Sequence, residues 1–325
     1  MSRSKREKDG EKREGKLRAA LGRTLLALGA TIAAAVLILI YGTQTISWND
    51  LYSLAGLTVE EPVQIAKDEV AVTILSVGQG DAILIETPEM AVLIDGGDTY
   101  AGDGLCETLR EKKIERLDYV FLTHPHKDHL GGLLPVLEEF EVGKLYVSTW
   151  PEEITPTSES FLRFNEIILQ REIDAWRAST NEEIALDCGK LTVIAAGGYD
   201  ELNDCSLVIR YDYGAKAFLF MGDAGFSVED DLMEGGSPVE CDVLKAGHHG
   251  SRYSTSSEFL EAAGAQWVVA SCGIDNQYDY PTEDFMRRVD GAGASLLRTD
   301  LDGDVRFVTD GRTIQYDSSL EREAA

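Results

Sequence analysis

From Val70 onward, apolar runs and short polar breaks alternate in a way that predicts a mixed α/β body. Residues 70–78, 82–87 and 90–97 read as three short strands rich in β-branched residues, each closed by a turn signal. A helix is predicted over 105–117, a buried strand over 117–124, a helix over 131–140 and a strand over 144–150. The apolar spacing of Phe161, Phe164, Ile167 and Ile168 predicts one longer helix over 158–177. In the second half, 191–198 reads as a strand and 205–223 as a hairpin turning near Gly214. Residues 239–247 read as a strand, 256–264 as a helix and 265–273 as a strand. The stretch 295–317, with its Asp-Gly pairs, reads as a meander. Runs of strands with helices between them, in two similar halves, predict two sheets packed face to face with helices outside, in one domain over 69–318.

Upstream the pattern is different. Residues 1–23 carry Arg3, Lys5, Arg6, Lys8, Lys12, Arg13, Lys16, Arg18 and Arg23 and read as a basic, disordered cytoplasmic tail. No charge follows from Thr24 to Tyr41, a run that as a helix spans about 27 Å, close to the apolar thickness of a bilayer. The basic flank then orients residues 24–42 as a single membrane anchor with the rest of the chain outside. A cleaved signal peptide is the competing reading; the run is longer than a usual signal core, and no A-x-A site follows it. Residues 43–68 are expected to be a linker with some short helix, and 319–325 a disordered tail.

Composition narrows the function classes. At 44% hydrophobic over 325 residues, the chain can bury a sizeable core. The net charge of -27 counts against nucleic-acid binding through a basic surface, where Lys and Arg supply most of the affinity. Cys106, Cys188, Cys205, Cys241 and Cys272 are scattered and form no C-x-x-C, which argues against a Cys-rich zinc site. Cys205 and Cys241 fall in strand-like runs and read as buried small hydrophobes.

The histidines are the informative residues. Of the chain's five, His124, His126 and His129 lie within six positions, and His248 and His249 are adjacent. The first group follows a buried strand and precedes the Gly131-Gly132 pair that opens a helix, so rigid elements hold its loop. His124 and His126, two apart in an extended turn, can point at one ion, and Asp128 and His129 at a second. Two such ions can hold a bridging hydroxide against a phosphoryl or acyl centre.

The string His124-Pro125-His126-Lys127-Asp128-His129 is an H-x-H-x-D-H motif, and through it the chain resembles the metallo-β-lactamase superfamily. The LIDGGD string is similar to that family's first motif and implies that Asp95 buttresses the metal loop from behind. FLFMGDAG resembles the strand end whose aspartate bridges both metals, here Asp223, and LKAGHHGS the last ligand segment, with His248 as the implied ligand. The fold implied is the αβ/βα sandwich. VGQGDAILIETP, the 203–223 segment, LKAGHHGS and RTDLDGDVRFVTDG together also resemble the C-terminal hydrolase domain of ComEC-type DNA-uptake proteins. The many-helix channel of such proteins has no counterpart here, since the sequence holds one apolar span.

Three departures from the pattern stand out. The superfamily often draws a third ligand for the first metal from a mid-chain histidine, and residues 130–247 contain none; Asn203, Asp204 or Ser206 would have to help. The late Y-x-H-P segment of ComEC-type domains is Tyr278-Asp279-Tyr280-Pro281 here. The acidity suits a nucleic-acid enzyme poorly. Among smaller features, Lys245 is expected to place a cation on a substrate phosphate or a leaving oxygen, against the alternative of a solvated strand-end lysine. His249 is expected either to donate to substrate or to cap its loop. Asn203, Ser206 and Ser251 are candidate substrate contacts, with a turn or helix-cap role the alternative for Ser251. Asp81 is expected behind the metal centre, and Asp302-Gly303-Asp304 in a hairpin turn.

These residues predict an exported, membrane-anchored metallohydrolase of phosphodiesters, in DNA or nucleotides, with two divalent ions. Zn²⁺ is the expected metal and Mn²⁺ the alternative; no obligate protein partner is implied. The metal ligands expected are His124, His126, Asp128, His129, Asp223 and His248, and the catalytic groups Asp128, Lys245 and His249. The rival readings are a phosphoesterase or lactonase acting on envelope components, and a metal-bound interaction domain without turnover.

Overall fold

The continuous apolar runs become strands covered on both faces, which is why they do not alternate with polar residues. The computed structural model describes residues 65–319. The expected tail, the anchor at 24–42, nearly all of the linker and the last six residues therefore lie outside the described residues. Among the described residues, no helix is long and apolar enough to cross a membrane.

Six strands open the fold: β1 (Val70–Ile74), β2 (Ile83–Glu86), β3 (Ala91–Ile94), β4 (Arg116–Leu122), β5 (Glu141–Val147) and β6 (Ala175–Arg177). Seven more follow: β7 (Glu182–Ala185), β8 (Lys190–Ala196), β9 (Leu207–Tyr213), β10 (Lys216–Phe220), β11 (Val243–Lys245), β12 (Trp267–Ala270) and β13 (Ser295–Arg298). The last two, β14 (Val305–Thr309) and β15 (Ile314–Ser318), return to the first sheet. Its order is β15-β14-β1-β2-β3-β4-β5-β6, and the second sheet runs β13-β12-β11-β10-β9-β8-β7. The helices are α1 (Gly102–Glu111), α2 (Lys127–Leu130), α3 (Leu133–Glu139), α4 (Glu159–Gln170), α5 (Phe226–Glu234), α6 (Ser257–Ala263), α7 (Glu283–Ala292) and α8 (Thr299–Asp302).

Three apolar layers hold these parts together. Between the sheets, Ile83, Ile85, Val92 and Phe121 meet Ile209, Phe218, Phe220 and Val269. On the outer face of the first sheet, Leu84 and Leu93 pack with Leu105 and Leu109 of α1, Val136 of α3 and Phe164 of α4. On the outer face of the second, Leu219 and Leu244 pack with Val228 of α5, Phe259 of α6 and Phe285 of α7. Successive residues of β2 thus enter different layers, and each fully buried side chain contributes about 1.5–3 kcal/mol. Asp95, His124, Asp223 and Ser271 all lie just past the ends of parallel strands β3, β4, β10 and β12, the end of a parallel sheet where ligands bind.

The structure corrects several sequence expectations. The helix expected over 158–177 stops at Gln170, and Ala175–Arg177 forms edge strand β6; Glu172, with φ 52°, turns the chain between them. The expected C-terminal meander is divided. β13 lies parallel to β12 in the second sheet, and α8 and Gly303 carry the chain across to β14, which pairs with β1. Asp302-Gly303 is therefore a crossover between sheets, and the only hairpin in the segment joins β14 to β15. Cys205 and Cys241 are buried, each just ahead of a strand, and all five cysteines are free thiols.

Candidate metal centre

Strand β4 delivers the histidine cluster, and Asp95 fixes it. The buried Asp95 carboxylate accepts from the Thr123 backbone N–H at 2.8 Å and from its hydroxyl at 2.6 Å. The same carboxylate lies 2.7 Å from His129 Nδ1, so His129 presents Nε2 to the cleft. Ser206 plays the matching part for His124: its hydroxyl lies 3.3 Å from His124 Nδ1 and accepts from the Asp223 backbone N–H at 2.9 Å. Gly80 lets the early loop close over this segment. With φ 131°, a Cβ there would stand 2.1 Å from the Asp128 carbonyl oxygen.

The two oxygens of Asp223 face different partners. Oδ2 is 3.7 Å from His124 Nε2 and 3.7 Å from His248 Nε2, and His124 Nε2 is 3.0 Å from His126 Nδ1. Oδ1 is 3.2 Å from His129 Nε2 and 3.4 Å from His249 Nε2, which is itself 3.4 Å from Asp128 Oδ2. His129 Nε2, His249 Nε2 and Asp223 Oδ1 are buried with no hydrogen-bond partner. Buried polar atoms are rarely left so, and imidazole nitrogens converging on carboxylate oxygens form the donor set that divalent metals take. The donors of His124, His129 and Asp223 lie within 4.8 Å of one another, as do those of Asp128, His129 and His249. The residues present therefore fit a centre of two cations.

Electrostatics describe the cation-free centre. Burial works to lower the His249 pKa, but the Asp223 and Asp81 carboxylates outweigh it and hold the imidazole at about 10. His129 is likewise raised well above its ordinary value, burial being overcome by Asp223 and Asp95. His124 is pushed well below its ordinary value by burial and by His129. Burial would raise Asp223 and Asp128; the neighbouring histidines prevail, and both carboxyls lie below the usual range.

Three sequence assignments change. Lys245 does not face substrate: it is wholly buried at the end of β11, where its Nζ pairs with Asp81 Oδ2 at 2.7 Å and donates to the Ala246 carbonyl at 2.8 Å. Ser206 sits behind His124, and Ser251 is buried with its hydroxyl accepting from the Tyr253 N–H at 3.2 Å, so both are internal supports and not substrate contacts. His248, the implied ligand, has its Nε2 3.7 Å from Asp223 Oδ2, and His249, expected among the catalytic groups, also turns Nε2 toward the centre, its Nδ1 lying 3.0 Å from the Ser271 carbonyl and 3.1 Å from Asp81 Oδ1. Asn203 lies beside His248, its Nδ2 3.5 Å from Nδ1. Asp81 bridges Lys245 and His249, one carboxylate oxygen to each. The sequence reading missed Tyr280, whose ring packs on both tandem histidines at 5.5 and 6.4 Å and stacks on the half-exposed Tyr278 at 5.4 Å. Its place in the departing Tyr278–Pro281 segment was the available signal.

Known proteins match this arrangement. The family model described as the metallo-beta-lactamase superfamily matches residues 75–269. Competence protein ComA of Neisseria gonorrhoeae is 32% identical over 282 residues, 86% of this chain and 38% of that protein. ComE operon protein 3 of Bacillus subtilis (strain 168) is 26% identical over 258 residues, 73% of this chain and 32% of that protein. The chain thus spans roughly a third of the length of these curated relatives, whose names agree with a ComEC-type resemblance. Among solved structures, the metallo-beta-lactamase fold protein YhfI of Bacillus subtilis aligns with TM-score 0.50 at 12% identity, over 75% of this chain and 100% of that one. The diiron β-hydroxylase CmlA of Streptomyces venezuelae aligns with TM-score 0.50 at 16% identity, over 80% and 59%. At such identities these two speak to the fold alone. The family match takes in strands β2–β11, from both sheets, and the histidines and aspartates that converge at their ends, and on that ground the chain belongs to the metallo-β-lactamase superfamily.

Proposed function

We propose that this protein is a metal-dependent phosphodiesterase acting on DNA or nucleotides, held at the membrane by residues 24–42 with its hydrolase domain outside. The observation that carries the reading is the division of Asp223, one oxygen toward His124 and the other toward His129 and His249. Divalent cations bound there, Zn²⁺ or Mn²⁺, would supply a nucleophile near neutral pH by acidifying water and would neutralise charge on a phosphoryl group. Asp128 is the carboxylate of the set that reaches the cleft, and its low pKa leaves it ionised to orient the nucleophile. Asp95, Ser206 and Asp81 keep the imidazoles in register.

The stacked Tyr278–Tyr280 pair supports a nucleic-acid substrate, since each nucleobase offers a face to an aromatic ring beside the histidines. The name of one relative, Competence protein ComA, points the same way. The net charge of -27 favours a second reading, a phosphoesterase or lactonase acting on envelope components. An activity screen decides between them. The full chain, loaded with Zn²⁺ or with Mn²⁺, is assayed on single-stranded DNA, bis-nitrophenyl phosphate and a lactone. Turnover of the first two supports the proposal; turnover of the lactone alone overturns it.

A further inference from the structure

We propose that the tandem histidines are divided between the two cation positions, with His248 completing the first and His249 the second. The inference rests on the two-cation reading of the centre and adds the missing ligand to it. No histidine lies between residues 130 and 247, so His124 and His126 lack a mid-chain partner. The three substitutes the sequence offers are each engaged elsewhere. Ser206 supports His124 from behind, through Nδ1. The Asp204 carboxylate accepts from the Gly225 N–H at 2.9 Å. Asn203 contacts His248 itself.

His248 stands where the ligand is needed. His126 Nδ1, His124 Nε2, Asp223 Oδ2 and His248 Nε2 form a chain with steps of 3.0, 3.7 and 3.7 Å. Four donors each about 2.1 Å from one tetrahedral ion stand about 3.4 Å apart, so small side-chain movements close the set. The backbone accounts for the division. His248 and His249 take φ, ψ of 45°, 49° and 55°, 22°, two successive left-handed residues, and their rings stand 5.9 Å apart at 74°. That conformation is unfavourable for side chains other than glycine and persists where its surroundings impose it, commonly at functional sites. It aims one ring at each oxygen of Asp223. With the Asn203 amide oxygen toward His248 Nδ1–H, the Nε2 lone pair is free for the ion; oxygen and nitrogen of that amide are interchangeable by a flip.

The test reads metal directly. Crystals of the wild-type protein loaded with Zn²⁺ are measured at the zinc absorption edge, and purified cation-free full chain is titrated with Zn²⁺ by calorimetry. The expected result is two ions, one about 2.1 Å from His248 Nε2 together with His124 and His126. His248→Ala and His248→Gln are expected to weaken one Zn²⁺ by about a hundredfold or more and to leave the other unchanged. His249→Ala weakens the other one. Adding His126→Ala to His248→Ala leaves the second ion intact. Two ions with His248 turned away from both, or His248→Ala retaining two Zn²⁺ at wild-type affinity, overturns the inference and leaves the hydrolase reading standing. Absence of any bound ion overturns both, whereas the expected ligation without turnover of any substrate overturns only the hydrolase reading. If the variants fail to fold, as judged by circular dichroism, the wild-type diffraction decides.

Discussion

Asp81 and Lys245 form an ion pair of 2.7 Å sealed from solvent, and the other oxygen of Asp81 faces His249 at 3.1 Å. Burial works to raise the Asp81 pKa, yet Lys245 and His249 hold it at about 2. The pair joins the early loop to the end of β11 and sets the ring that offers Nε2 to the centre. Removing one partner of such a pair strands a buried charge, which costs about 3–5 kcal/mol. Lys245→Met should therefore destabilise the fold by about that amount, and Asp81→Asn added to it should recover part of the loss. Urea unfolding of the single and double variants measures both. A Lys245→Met protein as stable as wild type would contradict the buried pair.

Asp128 belongs to the second donor set alone, through Oδ2 at 3.4 Å from His249. Asp128→Asn should leave the first cation bound and lower phosphodiester turnover by about a thousandfold, the order expected for losing several kcal/mol of barrier. Steady-state hydrolysis of bis-nitrophenyl phosphate, with metal content on the same sample, is the check. Retention of more than about a tenth of wild-type activity on every substrate would place the reacting centre elsewhere.

Cation binding should compete with protons. In the cation-free protein His249 titrates at about 10 and His129 is raised as well, so both carry protons at pH 7 and must release them to offer Nε2. Calorimetry at pH 7 in two buffers of different ionisation enthalpy should show protons released as Zn²⁺ binds. For stability the sign is as follows: a histidine raised in the folded state stabilises fully below its unfolded value of about 6.5 and progressively less as pH rises toward 10. Melting temperatures in chelator should fall over that window, and those of the Zn²⁺ form should fall less. Zero proton release at pH 7 would show these imidazoles to be neutral before the metal arrives.

Tyr278 should separate nucleic acid from small substrates. Its ring is half exposed, stacked on Tyr280 and remote in sequence from every candidate ligand. Losing one base-stacking contact is worth about 1–3 kcal/mol, so Tyr278→Ala should raise KM for single-stranded DNA by about five- to a hundredfold. Hydrolysis of bis-nitrophenyl phosphate, which has no nucleobase, should change little. Equal losses on both substrates would make Tyr278 a structural support of the histidine loop.

The sequence by itself determined the elements whose signal is local and dense. Three histidines and an aspartate within 124–129, after a strand too apolar to face water, leave few chemistries open, and apolar runs of four to seven residues announce strands buried on both faces. What depends on partners far along the chain was decided only by the tertiary structure. A strand pattern at 295–317 reports extended backbone and not which sheet it joins, so the crossover at Gly303 was invisible. A lysine at a strand end looks like a cleft residue until Asp81, 164 positions earlier, is brought to 2.7 Å by the packing of the two sheets. Two adjacent histidines look interchangeable in sequence. Their left-handed backbone separates them, because it sets one ring toward each oxygen of Asp223, and only the fold supplies that carboxylate.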